Sequence, residues 1–166
     1  LGSIYQNNVD VILCETMSSI YEGTIAANTA KDYSKEVWLS WTTRGNKLNR
    51  LPSTELLHDA ILKSIDLDIE CQLVNCVHAD TATLAISRLK KEKSFGIYAN
   101  SSIYKKNELE GFISDSDEWH YHNHKHIDHD EYGKYVIKWI KEGASVVGGC
   151  CRTTTDHIKV IRKRVD

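Results

Sequence analysis

Near the C-terminus the sequence reads Ala144-Ser145-Val146-Val147-Gly148-Gly149-Cys150-Cys151, followed by Arg152-Thr153-Thr154. The apolar residues before the glycines are typical of a strand buried in a parallel sheet, and a helix is predicted to begin after the cysteines. Two glycines let the backbone turn at this point without a Cβ clash. Adjacent cysteines are poorly placed to form a disulfide with each other, because that bond favours Cα atoms farther apart than one peptide unit allows. We therefore expect both thiols at the mouth of a strand-to-helix turn, where metal ligation is their better use.

The same alternation of an apolar run and a helical pattern occurs five times along the chain. Strands are predicted at residues 9–16, 37–43, 70–76, 94–100 and 144–149, and helices at 20–33, 53–65, 80–91, 130–142 and from 155 to the end. No hairpin signal separates the strands, so the sheet should be parallel with right-handed crossovers. The pattern predicts an α/β fold, either a β/α barrel or a doubly wound sheet. In both, the C-terminal strand ends form one ligand-binding face.

Polar and thiol side chains occupy the ends of four predicted strands: Glu15, Asn75 with Cys76, Asn100, and Cys150 with Cys151. Three thiolates at one point would make a soft site suited to Zn²⁺, with a fourth position left open as in catalytic zinc sites. Spacing alone equally allows three buried cysteines that act as small apolar residues, because the sequence has no CxxC pair. Cys14 and Cys71 lie inside predicted strands and are expected in the core.

Composition excludes several classes of protein. The 166 residues suit one domain, and a net charge of −2 with mixed signs along the chain argues against nucleic-acid binding. No apolar stretch approaches the roughly 20 residues that span a bilayer, and residues 1–5 do not resemble a signal peptide. Five cysteines without disulfide-type spacing indicate a reducing compartment, so we expect a cytosolic protein without a membrane partner.

Several motifs, in this order and spacing, resemble the homocysteine S-methyltransferase family. They are residues 10–16 with their Glu15-Thr16 end, Val74-Asn75-Cys76, and Gly148-Gly149-Cys150-Cys151-Arg152-Thr153-Thr154. Tyr98-Ala99-Asn100-Ser101 is similar to the Tyr-Pro-Asn-Ser turn of that family. The resemblance covers the whole chain, and the Gly-Gly-Cys-Cys element is highly specific.

The resemblance implies a (β/α)8 TIM barrel, of which this chain supplies strands 4 to 8. Residues 1–166 then form a single partial homocysteine-binding barrel domain, whereas the family fold usually needs about 250 residues. The Asp-Gly-Gly element of the family's first strand has no counterpart here. We therefore expect an N-terminal barrel segment, or an oligomer, as a partner. The chain also departs from the family pattern at Ala99 and Thr155, where the family has proline, and at Ser102, where it has glycine.

The resemblance also implies the chemistry. Cys76, Cys150 and Cys151 would hold Zn²⁺, which activates homocysteine for methylation by a sulfonium donor to give methionine. The residues at 152–154 and Trp119 resemble members that use S-methylmethionine or S-adenosylmethionine, whereas betaine- and cobalamin-dependent relatives match less well.

Three further residues are candidates for substrate binding. Glu15 would accept a hydrogen bond from the substrate ammonium, although backbone amides can also satisfy a carboxylate at a strand end. Asn75 and Asn100 are also candidates, with the shaping of their turns as the alternative role.

The sequence also allows other interpretations. A run of histidines at His120, His122, His124, His126 and His129 suggests a second metal site, but its irregular, polar context favours a solvated loop. The absence of the first three strands favours a non-catalytic zinc-binding or regulatory relative, or a fragment whose open sheet edges need an N-terminal piece.

Overall fold

The computed structural model describes residues 8–34, 36–43, 50–102 and 126–165. Within these ranges the predicted alternation is confirmed. The strands are β1 (Ile12–Met17), β2 (Val37–Trp41), β3 (Cys71–His78), β4 (Phe95–Asn100) and β5 (Val146–Gly149). The helices are α1 (Ile20–Lys31), α2 (Leu57–Asp66), α3 (Ala79–Leu89), α4 (His129–Lys141) and α5 (Thr155–Val165). None of these described helices is long and apolar enough to cross a membrane.

The five strands form one sheet in the order β1-β2-β3-β4-β5, and every neighbouring pair is parallel. A doubly wound sheet reverses its strand order at a switch point, and the described strands show no reversal. The order therefore fits an arc of a singly wound β/α barrel. Closure of this arc into eight strands remains a proposal.

The two faces of the sheet differ in burial. The face that packs against the helices is closed, with Leu39, Val74 and Ile97 at 0% exposure. We call the opposite face the inner face. Strand alternation and register assign to it Leu13, Trp38, Leu73, Tyr98 and Val146. Leu13 is 39% exposed and Trp38, Tyr98 and Val146 are half-buried. Leu73, on the central strand β3, is only 1% exposed. The apolar side chains of the inner face that remain accessible to water therefore lie on the strands to either side of β3.

Several element boundaries differ by one or more residues from those predicted, and the contacts explain two of the larger differences. Helix α2 starts at Leu57 rather than near Ser53, because the preceding residues are used to hold α1. The Glu55 carboxylate accepts hydrogen bonds from the backbone N–H of Ile20 at 2.9 Å and from the Ser53 hydroxyl at 2.6 Å. Strand β1 starts at Ile12 rather than at residue 9. The N–H of Ile12 donates to the carbonyl of Glu36 at 3.1 Å, and pairing with β2 begins there.

Gly23 sets how closely α1 approaches the sheet. A Cβ at this position would lie 2.5 Å from Cη2 of Trp41, whose side chain is 1% exposed. The indole is rigid and surrounded by core, so it has little room to move. This contact explains a glycine inside a helix, where Ala is usually favoured by roughly 1 kcal/mol.

We expect Gly23→Ala to lower the free energy of unfolding by about 1–3 kcal/mol, since overpacking outweighs the gain in helix propensity. The measurement is the midpoint of urea unfolding in dilute solution. Asn28→Ala, at an exposed position of the same helix, is the matched control and should be neutral or slightly stabilising. A Gly23→Ala protein as stable as the parent would contradict this account of the contact.

Candidate metal centre

Three thiols meet at the C-terminal edge of the sheet. The Sγ atoms of Cys76, Cys150 and Cys151 all lie within 4.8 Å of one another. Cys76 Sγ is 3.7 Å from Cys151 Sγ, and the two adjacent cysteines have their sulfurs 4.0 Å apart. Cys76 belongs to β3 and the pair follows β5, so the cluster spans the intervening strand β4. The other two cysteines, Cys14 and Cys71, are buried at 8% and 2% exposure and lie in the core as expected.

A local distortion of β3 brings Cys76 into this cluster. In a regular strand Asn75 and Cys76 would face opposite sides of the sheet. Cys76 instead has φ 55°, and the register with β4 shifts between Asn75 and His78. Such a bulge redirects side chains and is common near functional sites. As a result Asn75 Nδ2 lies 3.8 Å from Cys150 Sγ while the adjacent Cys76 also reaches the thiols.

Strand β1 has the same kind of distortion. Thr16 has φ 63°, and the register with β2 shifts between Cys14 and Met17. Glu15 and Thr16 therefore both reach the Asn75 side chain, at 3.5 Å and 2.7 Å from its Nδ2. Left-handed backbone in a non-glycine residue costs of order 1–3 kcal/mol. The two strained residues lie on the strands that carry the predicted site.

Hydrogen bonds from the end of β4 hold the turn that carries the paired cysteines. The N–H of Cys150 donates to the Ala99 carbonyl at 2.9 Å, and the N–H of Cys151 donates to Asn100 Oδ1 at 3.1 Å. Ser101 N–H in turn donates to the carbonyl of Cys151 at 3.1 Å. Asn100 therefore has the contacts of a residue that shapes this turn, and its predicted role in substrate binding remains a prediction.

The expectation that a glycine avoids a Cβ clash at this turn is confirmed for Gly149, although neither glycine supplies the left-handed backbone. The left-handed residue of the turn is Arg152, with φ 65°, rather than Gly148 or Gly149. A Cβ on Gly149 would instead lie 2.6 Å from Cγ2 of Thr153. Thr153 donates its hydroxyl to the Cys150 carbonyl at 2.7 Å. Gly149 thus provides space for the residue that closes the turn over the thiols.

The predicted polar residues on β1 and β3 also converge here. Asn75 is fully buried; its Oδ1 accepts from the Ser40 hydroxyl at 2.7 Å and its Nδ2 donates to Thr16 Oγ1 at 2.7 Å. Glu15 is exposed, with its carboxylate beside the same amide. An exposed carboxylate at this edge can accept a hydrogen bond from the ammonium group of a ligand. Binding of substrate by Glu15 and Asn75 stays a prediction.

The thiols perturb one another electrostatically. Hydrogen bonding from the Cys76 thiol lowers the pKa of Cys150 to about 6, helped by the Cys151 N–H and the Asn75 amide and opposed by burial. The same hydrogen bond, together with burial, raises the pKa of Cys76 far above its ordinary value. Burial and then the charge of Cys150 raise the pKa of Cys151. One thiolate forms easily, whereas three together need a cation to offset their repulsion.

Three residues that support the turn and the site were not predicted. Ser40 binds Asn75, and Tyr132 Oη lies 2.7 Å from the Ala99 carbonyl and 3.0 Å from that of Gly148. The His157 ring accepts from Thr154 N–H at 3.1 Å through Nδ1, so its Nε2–H can donate to a backbone carbonyl at 3.2 Å. The sequence does offer a signal for Ser40, because a polar residue within an apolar strand needs a hydrogen-bond partner. The other two had none.

Part of the histidine run lies outside the described residues, as does Trp119. Within the described part, His126 and His129 are exposed, as expected for solvated side chains, but His129 is the first residue of α4 rather than part of the predicted loop. His126 Nε2 lies 3.2 Å from Nη1 of Arg152. Neither histidine belongs to the thiol cluster.

Comparison with known proteins decides the family. The homocysteine S-methyltransferase family profile matches residues 2–165, which is almost the whole chain. The chain belongs to the homocysteine S-methyltransferase family. The homocysteine S-methyltransferase of Escherichia coli strain K12 is 26% identical over 157 residues, covering 93% of this chain and 47% of that protein. The selenocysteine methyltransferase of Astragalus bisulcatus is 28% identical over 165 residues, covering 95% and 45%.

A solved structure from the same family shares the fold. The homocysteine methyltransferase MmuM from Escherichia coli, in its oxidized form, superposes with a TM-score of 0.70 at 23% identity, over 94% of this chain and 46% of that one. The metallated form of MmuM superposes with a TM-score of 0.68 at 22% identity, over 94% of this chain and 45% of that one. The chain therefore spans about half the length of the family relatives it matches.

Proposed function

We propose that this chain is the C-terminal part of a zinc-dependent homocysteine S-methyltransferase. The reaction transfers a methyl group from a sulfonium donor, S-methylmethionine or S-adenosylmethionine, to homocysteine and gives methionine. The observation that carries the proposal is the meeting of three sulfurs within 4.8 Å at the C-terminal edge of the sheet. Family membership over residues 2–165 and the metallated form of MmuM support it.

The donor set fits zinc. Three thiolates are soft ligands that favour Zn²⁺ over hard cations, and three protein ligands leave a fourth position for substrate. Cys151 is exposed while Cys76 and Cys150 are half-buried, so a ligand can approach the cluster from the Cys151 side. When bound, zinc would supply a Lewis acid that keeps a substrate thiol deprotonated at neutral pH.

The chain's own residues would then bind and orient the reactants. Cys76, Cys150 and Cys151 make the site electron-rich, which suits a positively charged methyl donor. Glu15 would accept from the ammonium group of homocysteine and orient its sulfur. That sulfur forms a bond to the methyl carbon as the donor's carbon–sulfur bond breaks. The electron pair of the broken bond leaves with the thioether, and the thiol proton is lost to solvent. The nucleophile is the substrate's own sulfur.

Assays of the completed protein should show methionine formed from homocysteine and S-methylmethionine, followed by mass. Glu15→Ala is expected to raise the KM for homocysteine more than it lowers kcat, because the ammonium contact is present before and during the reaction. Glu70→Ala is the control, a carboxylate at the opposite end of the sheet, where β3 begins. S-methylmethionine should outperform betaine. Equal rates with betaine would contradict the proposed donor, and an unchanged KM in Glu15→Ala would contradict the ammonium contact.

The half-length match favours one alternative, an inactive zinc-binding fragment or a regulatory relative that needs an N-terminal partner piece. This alternative predicts zinc binding without methionine formation, even after the rest of a barrel is supplied. Metal analysis and the methionine assay on the same preparation separate the two.

A further inference from the structure

The Asn75 side chain is unusually well held for a residue at the end of a strand. It is 0% exposed, as is Ser40, whose hydroxyl donates to Asn75 Oδ1 at 2.7 Å. On its other side the amide faces Glu15 Oε1 at 3.5 Å. An ionised carboxylate can only accept, so the amide nitrogen rather than its oxygen is turned towards β1 and the thiols. Three elements, β1, β2 and β3, thus fix the direction of one amide N–H group.

The hydrogen count shows what that N–H group does. An amide nitrogen carries two hydrogens, and Thr16 Oγ1 at 2.7 Å takes one. The second has two acceptors nearby, Cys150 Sγ at 3.8 Å and Glu15 Oε1 at 3.5 Å. A sulfur acceptor is large, so 3.8 Å is a hydrogen-bonding distance for it. With Glu15 occupied by a ligand, this hydrogen would belong to the sulfur alone.

We propose that Asn75 is a positioning residue that donates an N–H to the Cys150 sulfur, and that Ser40 and Thr16 hold its amide in the orientation this requires. The inference rests on the proposed function, in which Cys150 is a metal ligand. Partners of metal ligands orient the ligand and tune its electron density. A flipped amide would present Oδ1 to the sulfur instead, and two electron-rich atoms would then face each other.

Cobalt bound to the full chain gives a readout besides activity. Thiolate ligands produce a sulfur-to-cobalt charge-transfer band, and a hydrogen bond to the sulfur moves that band to shorter wavelength. Asn75→Leu and Ser40→Ala should therefore move it to longer wavelength and weaken cobalt binding about 10- to 100-fold. Ser40→Ala keeps the amide and removes only what orients it, so it tests the inference even if Asn75→Leu folds poorly.

Gln72→Leu is the matched control. Gln72 is also a buried amide on β3, at 2% exposure, but it bonds to the Ile61 carbonyl at 3.0 Å on the helix-covered side. This variant loses comparable hydrogen bonds and should leave the cobalt spectrum unchanged.

The outcomes separate the two proposals. Suppose the wild-type chain shows thiolate-to-cobalt bands, and the Asn75→Leu and Ser40→Ala variants keep the same band position and the same cobalt affinity. This result overturns the present inference and leaves the metal proposal intact. An equal shift in Gln72→Leu overturns the inference as well, because the effect is then general destabilisation. A wild-type chain that binds no cobalt contradicts the metal proposal, and this inference falls with it.

Discussion

Replacing Cys151 by alanine is expected to remove most of the zinc affinity and to abolish methyl transfer. The parent should bind about one equivalent of zinc, because three thiols and one open position make one site. Two thiolates leave an incomplete shell, and Cys151 Sγ lies within 4.0 Å of both other sulfurs. Loss of a metal ligand should lower the zinc affinity by more than the 10- to 100-fold that is typical when a hydrogen-bond partner of a ligand is removed.

Metal analysis of the purified variants and the methionine assay check this result. Cys76→Ala and Cys150→Ala should behave as Cys151→Ala does. Cys14→Ala and Cys71→Ala are matched controls, since both thiols are buried in the core away from the cluster. Full zinc retention in Cys150→Ala would defeat the assignment of the ligands, and turnover that survives the loss of Cys151 would defeat the mechanism.

The second large effect concerns completeness of the barrel. The chain on its own is expected to bind a hydrophobic dye and to self-associate, and to need a further β/α segment for activity. On the inner face Leu13 is 39% exposed, and every residue of β5 is only half-buried. In addition, β1 and β5 each pair on one side only within the described sheet. Unpaired edges of this kind recruit other chains.

Dye fluorescence and size-exclusion chromatography test this expectation, before and after co-expression with an N-terminal barrel segment. The segment should suppress dye binding and restore methyl transfer, because it would cover both edges and the inner face together. Leu13→Lys offers a direct probe, since a charge on the inner face should reduce dye binding by the isolated chain. A monomeric, cooperatively folded and active chain of these 166 residues would show that it is not part of a larger barrel.

The sequence predicts the alternation of elements well because apolar runs and helical patterns are local. It also indicates which residues come at the strand ends, and the structure brings all six candidate site residues to one edge. The left-handed backbone at Thr16 and Cys76 could not be predicted, because nothing local favours that conformation in these residues. Their bulges depend on pairing with neighbouring strands. The sequence does predict that Gly149 avoids a Cβ clash at the turn, but it does not identify Thr153 as the residue that needs the space.

The distance along the chain between the thiols has a consequence for folding. Cys76 and Cys151 are 75 residues apart, although their sulfurs are 3.7 Å apart. A metal ion held between them would close a loop that contains α3, β4, α4 and β5. Closing such a loop in the unfolded chain is entropically costly, and the cost grows with loop length. Strands β3, β4 and β5 must therefore assemble before the ion can bind all three sulfurs, so metal capture should follow sheet formation and then slow its unfolding.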